Sequence, residues 1–441
     1  MASEQAERYA RQLAELIRIP TVDGQELAQF AQLRARLRAL FPHIFSAAEY
    51  EEFRNGFLLR WKGRDPAKRP WLLMNHHDVV EAPEAGWTHP PFAGEIADGK
   101  LWGRGTLDDK GPLWAMLCAA DELAAQGFVP ARDIYFESSC TEETDGAGAR
   151  HIVSVLQARG VRFEMILDEG GMILHDPLGI GGGQCAMAAV GEKSCADLRF
   201  TVRGSGGHAS TPGKDNALVR LSRFINAAEK AVPSLFPARI TPAVEEMLRR
   251  MSEDMTGVLR LVCRHPRLFR PVLRAVLARL SPTTNAMVRT TCAFTMCGGA
   301  AATNVLPHKA WCVGNMRFAH HQGSEAGIAA ITRLAEKHGV EVKILDPPVD
   351  SSLTSCDSTA FRVVERAVDA AFPGVRTIPY VATGASDSRF FDGLADGCVR
   401  LAPFCIDDQQ LESIHGIDEN VDVAALPPAV AFFQHIMAEE E

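Results

Sequence analysis

Histidine and carboxylate residues recur at five places in the chain, in pairings that suit metal-assisted hydrolysis. His76 and Asp78 stand two apart in WLLMNHHDVVEAP (71–83), and Asp108-Asp109 follows GRGTL. Glu142-Glu143 follows SSCT, Asp168-Glu169 precedes two glycines, and His415 lies in SIHGIDEN (413–420). A metal-ligating imidazole needs a partner on its other nitrogen to fix its tautomer, and Asp78 is within reach of His76. Adjacent glutamates allow one carboxylate to bind metal while its neighbour handles a proton. Imidazole and carboxylate without thiolate suit Zn²⁺, Co²⁺ or Mn²⁺ rather than a structural zinc site. Two such ions, ~3.5–4 Å apart, call for one bridging carboxylate. Each place has a plainer reading when taken singly: a surface hydrogen bond for His76, a helix N-cap for the Asp pair, solvated surface for the glutamates, a loop position for His415.

The elements that would position these residues bring the five places together. Short β-forming stretches at 56–61, 71–75, 101–102, 133–138 and 163–167 alternate with helical patterns at 112–126 and after Gly146. Four successive strands therefore end in His-x-Asp, Asp-Asp, Glu-Glu and Asp-Glu. That places the chemistry at the carboxyl edge of an α/β sheet. A helix over 4–18 is closed by Ile19-Pro20, since the residue before proline is pushed out of helical geometry. From about residue 190 the texture changes to strands at 193–203, 290–296 and 310–317 with helices at 217–231 and 325–338. This predicts an α+β unit over 190–346 inserted between catalytic parts 1–189 and 347–441, with Pro347-Pro348 as the return linker. Residues 234–288, rich in Arg, Leu and Pro, read as a helical insertion. A helix over 358–371, strands at 377–381 and 399–402 and a helix over 421–438 complete the chain.

Composition bounds the partners. At 441 residues two domains are expected. A net charge of −9 with no evident basic stripe argues against a nucleic-acid or anionic-membrane partner. No run reaches the ~18 apolar residues of a membrane span, and the start lacks the apolar centre of a signal peptide. Eleven cysteines without paired spacing predict a reducing, cytoplasmic setting.

The five motifs, in this order from LIRIPT (16–21) to IHGIDEN, resemble those of the co-catalytic zinc peptidases that include aminoacylase, yeast carboxypeptidase S, carboxypeptidase G and succinyl-diaminopimelate desuccinylase. The resemblance implies a mixed-sheet α/β catalytic domain with an inserted α+β lid and dimerisation domain, two Zn²⁺ per subunit and a homodimer formed through the lid. It implies that His76 ligates one metal with Asp78 holding its ring. Asp108 would bridge both metals, with its peptide to Asp109 cis as in relatives, Glu142 would act as general base, and Glu143 and His415 would ligate the second metal. Asp168 or Glu169 completes the first; neighbours on a strand face opposite ways, so one of them binds. His208 in GSGGHAST matches the lid histidine that in dimeric relatives reaches the partner subunit's site and steadies the oxyanion. Asn304, Arg317, the backbone at Gly384 and Arg389 are implied substrate contacts, Arg317 for a free carboxylate. Asn315 departs from the usual Asp two residues before Arg317, which puts that arginine's orientation in question. The expected reaction is hydrolysis of a peptide or N-acyl amide beside a free carboxylate, carboxypeptidase- or dipeptidase-like, with N-acyl-amino-acid amidohydrolysis as the alternative. The long helical insertion resembles the enlarged lid of carboxypeptidase S-like members. Phosphoester hydrolysis would want cationic clamps, for which the motif loops offer Arg104 and Lys110. A non-catalytic metal-binding protein would lack the proton-transfer residue Glu142.

Overall fold

The structure, a computed structural model, describes residues 3–22, 27–177, 179 and 183–440. Its largest sheet runs in the order Glu49–Phe53, Gly56–Trp61, Ile134–Ser139, Trp71–His76, Met165–Asp168, Cys398–Arg400, Gln184–Glu192 and Arg376–Ala382, with Ile173–His175 paired to Gln184–Glu192. Trp71–His76 is parallel to both its neighbours, whereas Gly56–Trp61 is antiparallel to Ile134–Ser139, so the sheet is mixed. All six residues of Trp71–His76 are buried. A strand covered on both faces reads as a continuous apolar run, which is why WLLM precedes the histidines. Leu73 faces the core built with helices Glu4–Ile17, Lys110–Ala125 and Leu426–Ala438, while Leu72 and Met74 face that of helix Ala147–Ala158.

The first helix begins at an N-cap, Ser3, whose hydroxyl accepts the Ala6 N–H at 3.1 Å, and ends at Ile17 ahead of Pro20. The fold is α/β with a mixed sheet. The α+β unit is a separate four-stranded sheet, ordered Thr291–Gly298, Lys309–Phe318, Ser194–Arg203 and Glu341–Asp346. Helices Ala217–Leu235 and Ser324–Lys337 pack on it around Leu198, Phe200, Phe224 and Phe318. Between the two sheets stands Lys193, buried, its Nζ donating to the carbonyls of Ala286 at 3.1 Å and Arg289 at 2.9 Å. Burial pulls its pKa down to about 7.

Two features differ from the expectation. Lys100–Trp102, the strand before Asp108, is not in the large sheet. It belongs to a three-stranded sheet with Glu95–Ala97 and Asn420–Asp422. The hairpin is short and half-exposed, so it closes on the strand after His415 and draws the Asp108 and His415 loops together. The helical insertion also differs from an enlarged lid. Val244, Met247, Leu248 and Met251 of helix Pro242–Met251 share one core with Cys185, Met187 and Ile378 of the large sheet. Its apolar face covers the edge strand Arg376–Ala382, which would otherwise lie open on that side.

No helix among the described residues is long and apolar enough to cross a membrane. All eleven cysteines are free.

Candidate metal centre

Two triads of ligand atoms meet at Asp108. His76, Asp108 and Glu169 form one, and Asp108, Glu143 and His415 the other, the atoms of each lying within 4.8 Å of one another. His76 Nε2 stands 2.9 Å from Asp108 Oδ1 and 3.8 Å from Glu169 Oε1. On the other side, His415 Nε2 is 3.1 Å from Asp108 Oδ2 and 3.0 Å from Glu143 Oε2. One carboxylate thus offers an oxygen to each triad. The Asp108–Asp109 peptide is cis.

Each member is held from behind. His76 Nδ1 meets the Asp78 carbonyl at 3.1 Å and its Oδ1 at 3.3 Å, and Asp78 Oδ2 accepts the Glu143 N–H at 3.0 Å. Asp109 turns away from the cluster and accepts the His76 backbone N–H at 3.0 Å. Glu169 joins the cluster, whereas the Asp168 carboxylate accepts the Ser388 N–H at 3.0 Å. His77 is likewise turned away: its Nδ1 meets Ser138 Oγ at 2.7 Å, and burial with Arg34 nearby holds its pKa well below the usual value.

The donors fit divalent cations. The buried carboxyls of Glu142 and Glu169 are both pushed well above their ordinary range, chiefly by burial, with Asp108 adding repulsion. His415 is raised to about 10 by its hydrogen bonds to Asp108 and Glu143. Burial opposes protonation of His76, yet Asp108 and Asp78 outweigh it and raise its pKa. The site calls for positive charge where the two triads converge. Glu143 Oε1 is buried with no hydrogen-bond partner, as suits a metal ligand.

Glu419 is a residue that sequence reasoning left without a role. Fully buried, its Oε1 accepts the N–H groups of Leu107 at 2.8 Å, Gly105 at 3.1 Å and Asp108 at 3.3 Å. Its Oε2 pairs with Arg104 at 2.5 Å. It thereby ties the loop that carries Asp108 to the segment after His415. The acidic pair in HGIDEN was the available signal. Arg104, with this partner, and Lys110, buried against the Leu16 and Ile19 carbonyls, are committed to the fold rather than placed as phosphate clamps.

One of the expected substrate residues, Arg389, contacts a residue of the cluster's edge. Arg389 stands 3.9 Å from Glu142 Oε1 while donating to the Ser386 carbonyl at 2.8 Å. His208 is exposed at the end of strand Gly207–His208, its Nδ1 2.6 Å from Ser210 Oγ. Asn304 is exposed in a turn whose carbonyl accepts the Ala209 N–H at 3.0 Å. Arg317 Nε donates to Asn315 Oδ1 at 3.1 Å, and Asn315 in turn donates to Asp197 at 2.8 Å. Gly384 lies in an open turn with space for a Cβ.

An apolar pocket of about 250 Å³ adjoins the cluster. Gly170, next to Glu169, and Ile414, next to His415, form one wall. Met172, Met187 and Tyr380 form another, and Met287 of the helical insertion closes it. A larger cleft of about 510 Å³ opens on the insertion among Arg239, Arg270 and Arg274.

The profile of the Peptidase family M20/M25/M40 matches residues 72–439. The chain belongs to this family. It is a metallohydrolase of the M20 type, and its relatives divide by substrate. It is 32% identical to N-fatty-acyl-amino acid synthase/hydrolase PM20D1 of Homo sapiens, covering 94% of this chain and 84% of that protein. It is 31% identical to the probable carboxypeptidase S-like 2 of Dictyostelium discoideum over 98% of this chain and 85% of that one. Among solved M20 structures, a metallo-carboxypeptidase from Sulfolobus solfataricus superposes with a TM-score of 0.70 at 16% identity, covering 97% of this chain and 98% of that one.

Proposed function

We propose that this M20 hydrolase cleaves the amide bond of N-acyl amino acids bearing an apolar acyl chain. The observation that carries this reading is the apolar pocket beside the ligand cluster, walled by Met172, Met187, Tyr380 and Met287. The names of the human and other vertebrate relatives, N-fatty-acyl-amino acid synthase/hydrolases, support it. The reading holds that His76, Asp108 and Glu169 bind one Zn²⁺ and Asp108, Glu143 and His415 a second, Co²⁺ or Mn²⁺ serving in their place. When bound, the cations supply Lewis-acid polarisation and lower the pKa of water. The chain's own residues do the rest. Glu142, buried at the edge of the cluster, takes the proton of the attacking water and returns it to the leaving amine. Arg389 beside it keeps a positive charge near that carboxylate. Arg317 Nε is occupied by Asn315, which leaves the terminal nitrogens for the substrate's free carboxylate.

The test is a substrate panel. N-acyl amino acids of increasing chain length should gain about fourfold in kcat/KM per methylene until the pocket is filled. Met287→Trp, which fills the pocket, should lower long-chain hydrolysis about 10- to 200-fold and spare N-acetyl substrates. Preference for unblocked dipeptides with no chain-length dependence would instead favour the carboxypeptidase-like reading that the Dictyostelium relative's name suggests.

His208 is assigned to the oxyanion of a second subunit, across a homodimer formed by the lid sheets. Coexpressed His208→Ala and Glu142→Gln chains, each inactive alone, should then recover roughly a quarter of wild-type activity, from one intact site in half of the dimers. No recovery, with mixed dimers present, would place His208 on its own subunit's site, and a His208→Ala chain active by itself would remove it from the reaction.

A further inference from the structure

The helical insertion carries a charge pattern that the chain's acidic total conceals. Residues 257–280, GVLRLVCRHPRLFRPVLRAVLARL, contain six arginines and no acid, in a chain of net charge −9. Helix Arg270–Leu280 turns Leu273 and Leu277 inward and Val272, Val276 and Leu280 outward, the last three 56%, 48% and 51% exposed. Leu268, 75% exposed, adds a further apolar side chain from the turn that precedes this helix. Helix Gly257–Arg264 repeats the arrangement, with Cys263 buried and Val258 and Leu261 exposed. Single exposed leucines are ordinary, but two adjacent helices presenting apolar rows make a docking surface.

The charges around those rows are available. Arg267 and Arg270 share Glu245, whereas Arg260, Arg264 and Arg274 form no ion pair among the described residues. The nearest other acids are already taken, Glu246 by Arg249 and Arg250, Glu253 by Arg376. Beside the second helix, the cleft of about 510 Å³ is lined by Arg239, Arg274 and the Glu245-paired Arg270. That lining suits the phosphate of a lipid headgroup.

We infer that helices Gly257–Arg264 and Arg270–Leu280 dock the protein on the surface of an anionic phospholipid bilayer. The apolar rows enter the boundary of the acyl region while the arginines meet the headgroups. A second copy of this chain would bring like charges face to face, and a nucleic acid would leave the leucines unexplained. Contact is peripheral, since no described helix can span a bilayer. The next helix, Pro282–Val288, supplies Thr283 and Met287 to the apolar pocket, so the docking surface and the pocket share one insertion.

Cosedimentation of the full chain with vesicles tests this without reference to turnover. The protein should partition onto equal mixtures of phosphatidylcholine and phosphatidylglycerol and far less onto phosphatidylcholine alone. Leu268→Glu with Val272→Glu should lower that partition at least about tenfold. Arg264→Ala with Arg274→Ala should lower it about fivefold per arginine. Both variants should keep the wild-type thermal transition and the wild-type rate on a short soluble substrate. The proposal is overturned if the wild type ignores both vesicles, if it binds them equally well, or if neither variant changes the partition. It is also overturned if the chain self-associates through this face, seen as a larger species that Leu268→Glu with Val272→Glu dissociates.

Discussion

Glu142→Gln should hydrolyse its substrate about 100- to 10,000-fold more slowly than the wild type while binding the same amount of metal. The side chain stands at the edge of the cluster, 3.9 Å from Arg389, and belongs to neither ligand triad. Burial raises its carboxyl pKa, reinforced by Asp387, Asp108 and Glu143 and opposed by His76. Bound cations would offset that repulsion and make the carboxylate available to accept a proton. Glutamine keeps the shape and the hydrogen-bonding capacity but cannot exchange a proton at this site. Stopped kinetics beside metal analysis separates the two roles. Loss of metal together with activity would make Glu142 a ligand, and unchanged turnover would remove it from the reaction altogether.

Glu419→Ala should weaken metal binding about 10- to 100-fold although Glu419 belongs to neither triad. One carboxylate holds three backbone donors of the Asp108 loop, those of Gly105, Leu107 and Asp108, and the Arg104 guanidinium. Both partners are buried, Arg104 at 2% exposure and Glu419 at 0%. Removing one leaves the other's charge in the interior, at a cost of about 3–5 kcal/mol of stability. Glu419→Gln separates the two effects, because it retains acceptor geometry for the N–H groups while losing the charge that Arg104 needs. Titration with zinc against a competing chelator, alongside denaturant unfolding, reads both quantities. If Glu419→Ala binds zinc as tightly as the wild type, the loop is held by something other than this carboxylate.

The acyl pocket and the lipid-docking face have a common origin in the helical insertion. Its inner face covers the sheet edge, its last helix closes the pocket, and its outer face carries the apolar rows. If both proposals hold, a substrate with a long acyl chain would meet the protein at a bilayer surface, on the insertion that also walls its pocket.

Much of the cluster was legible before any fold was known. Chemistry at strand ends is concentrated in short motifs, and His76, Asp108, Glu142, Glu143 and His415 stood out by residue type and order. The buried strand at WLLM followed from its apolar run, because a strand covered on both faces must be apolar throughout, whereas the mixed sheet was implied by the resemblance alone. Other parts were not legible, each for a physical reason. Gln184–Glu192, a nine-residue strand one in from the edge of the sheet, reads QCAMAAVGE, with neither alternation nor β-branched density. Its pairing comes from Arg376–Ala382, nearly two hundred residues away. Which of Asp168 and Glu169 joins the cluster depends on which face of the strand end meets Ser388, a contact set by packing. The side of the molecule taken by the helical insertion depends on its burying Met247 and Met251 against Ile378 rather than on the lid. Sequence alone determined which side chains could meet, since residue type and local strand or turn pattern are short-range properties. Only the tertiary structure decided that the Asp108 and His415 loops are joined through Glu419, because that contact closes over three hundred residues of chain and its energy exists only once both loops are buried together.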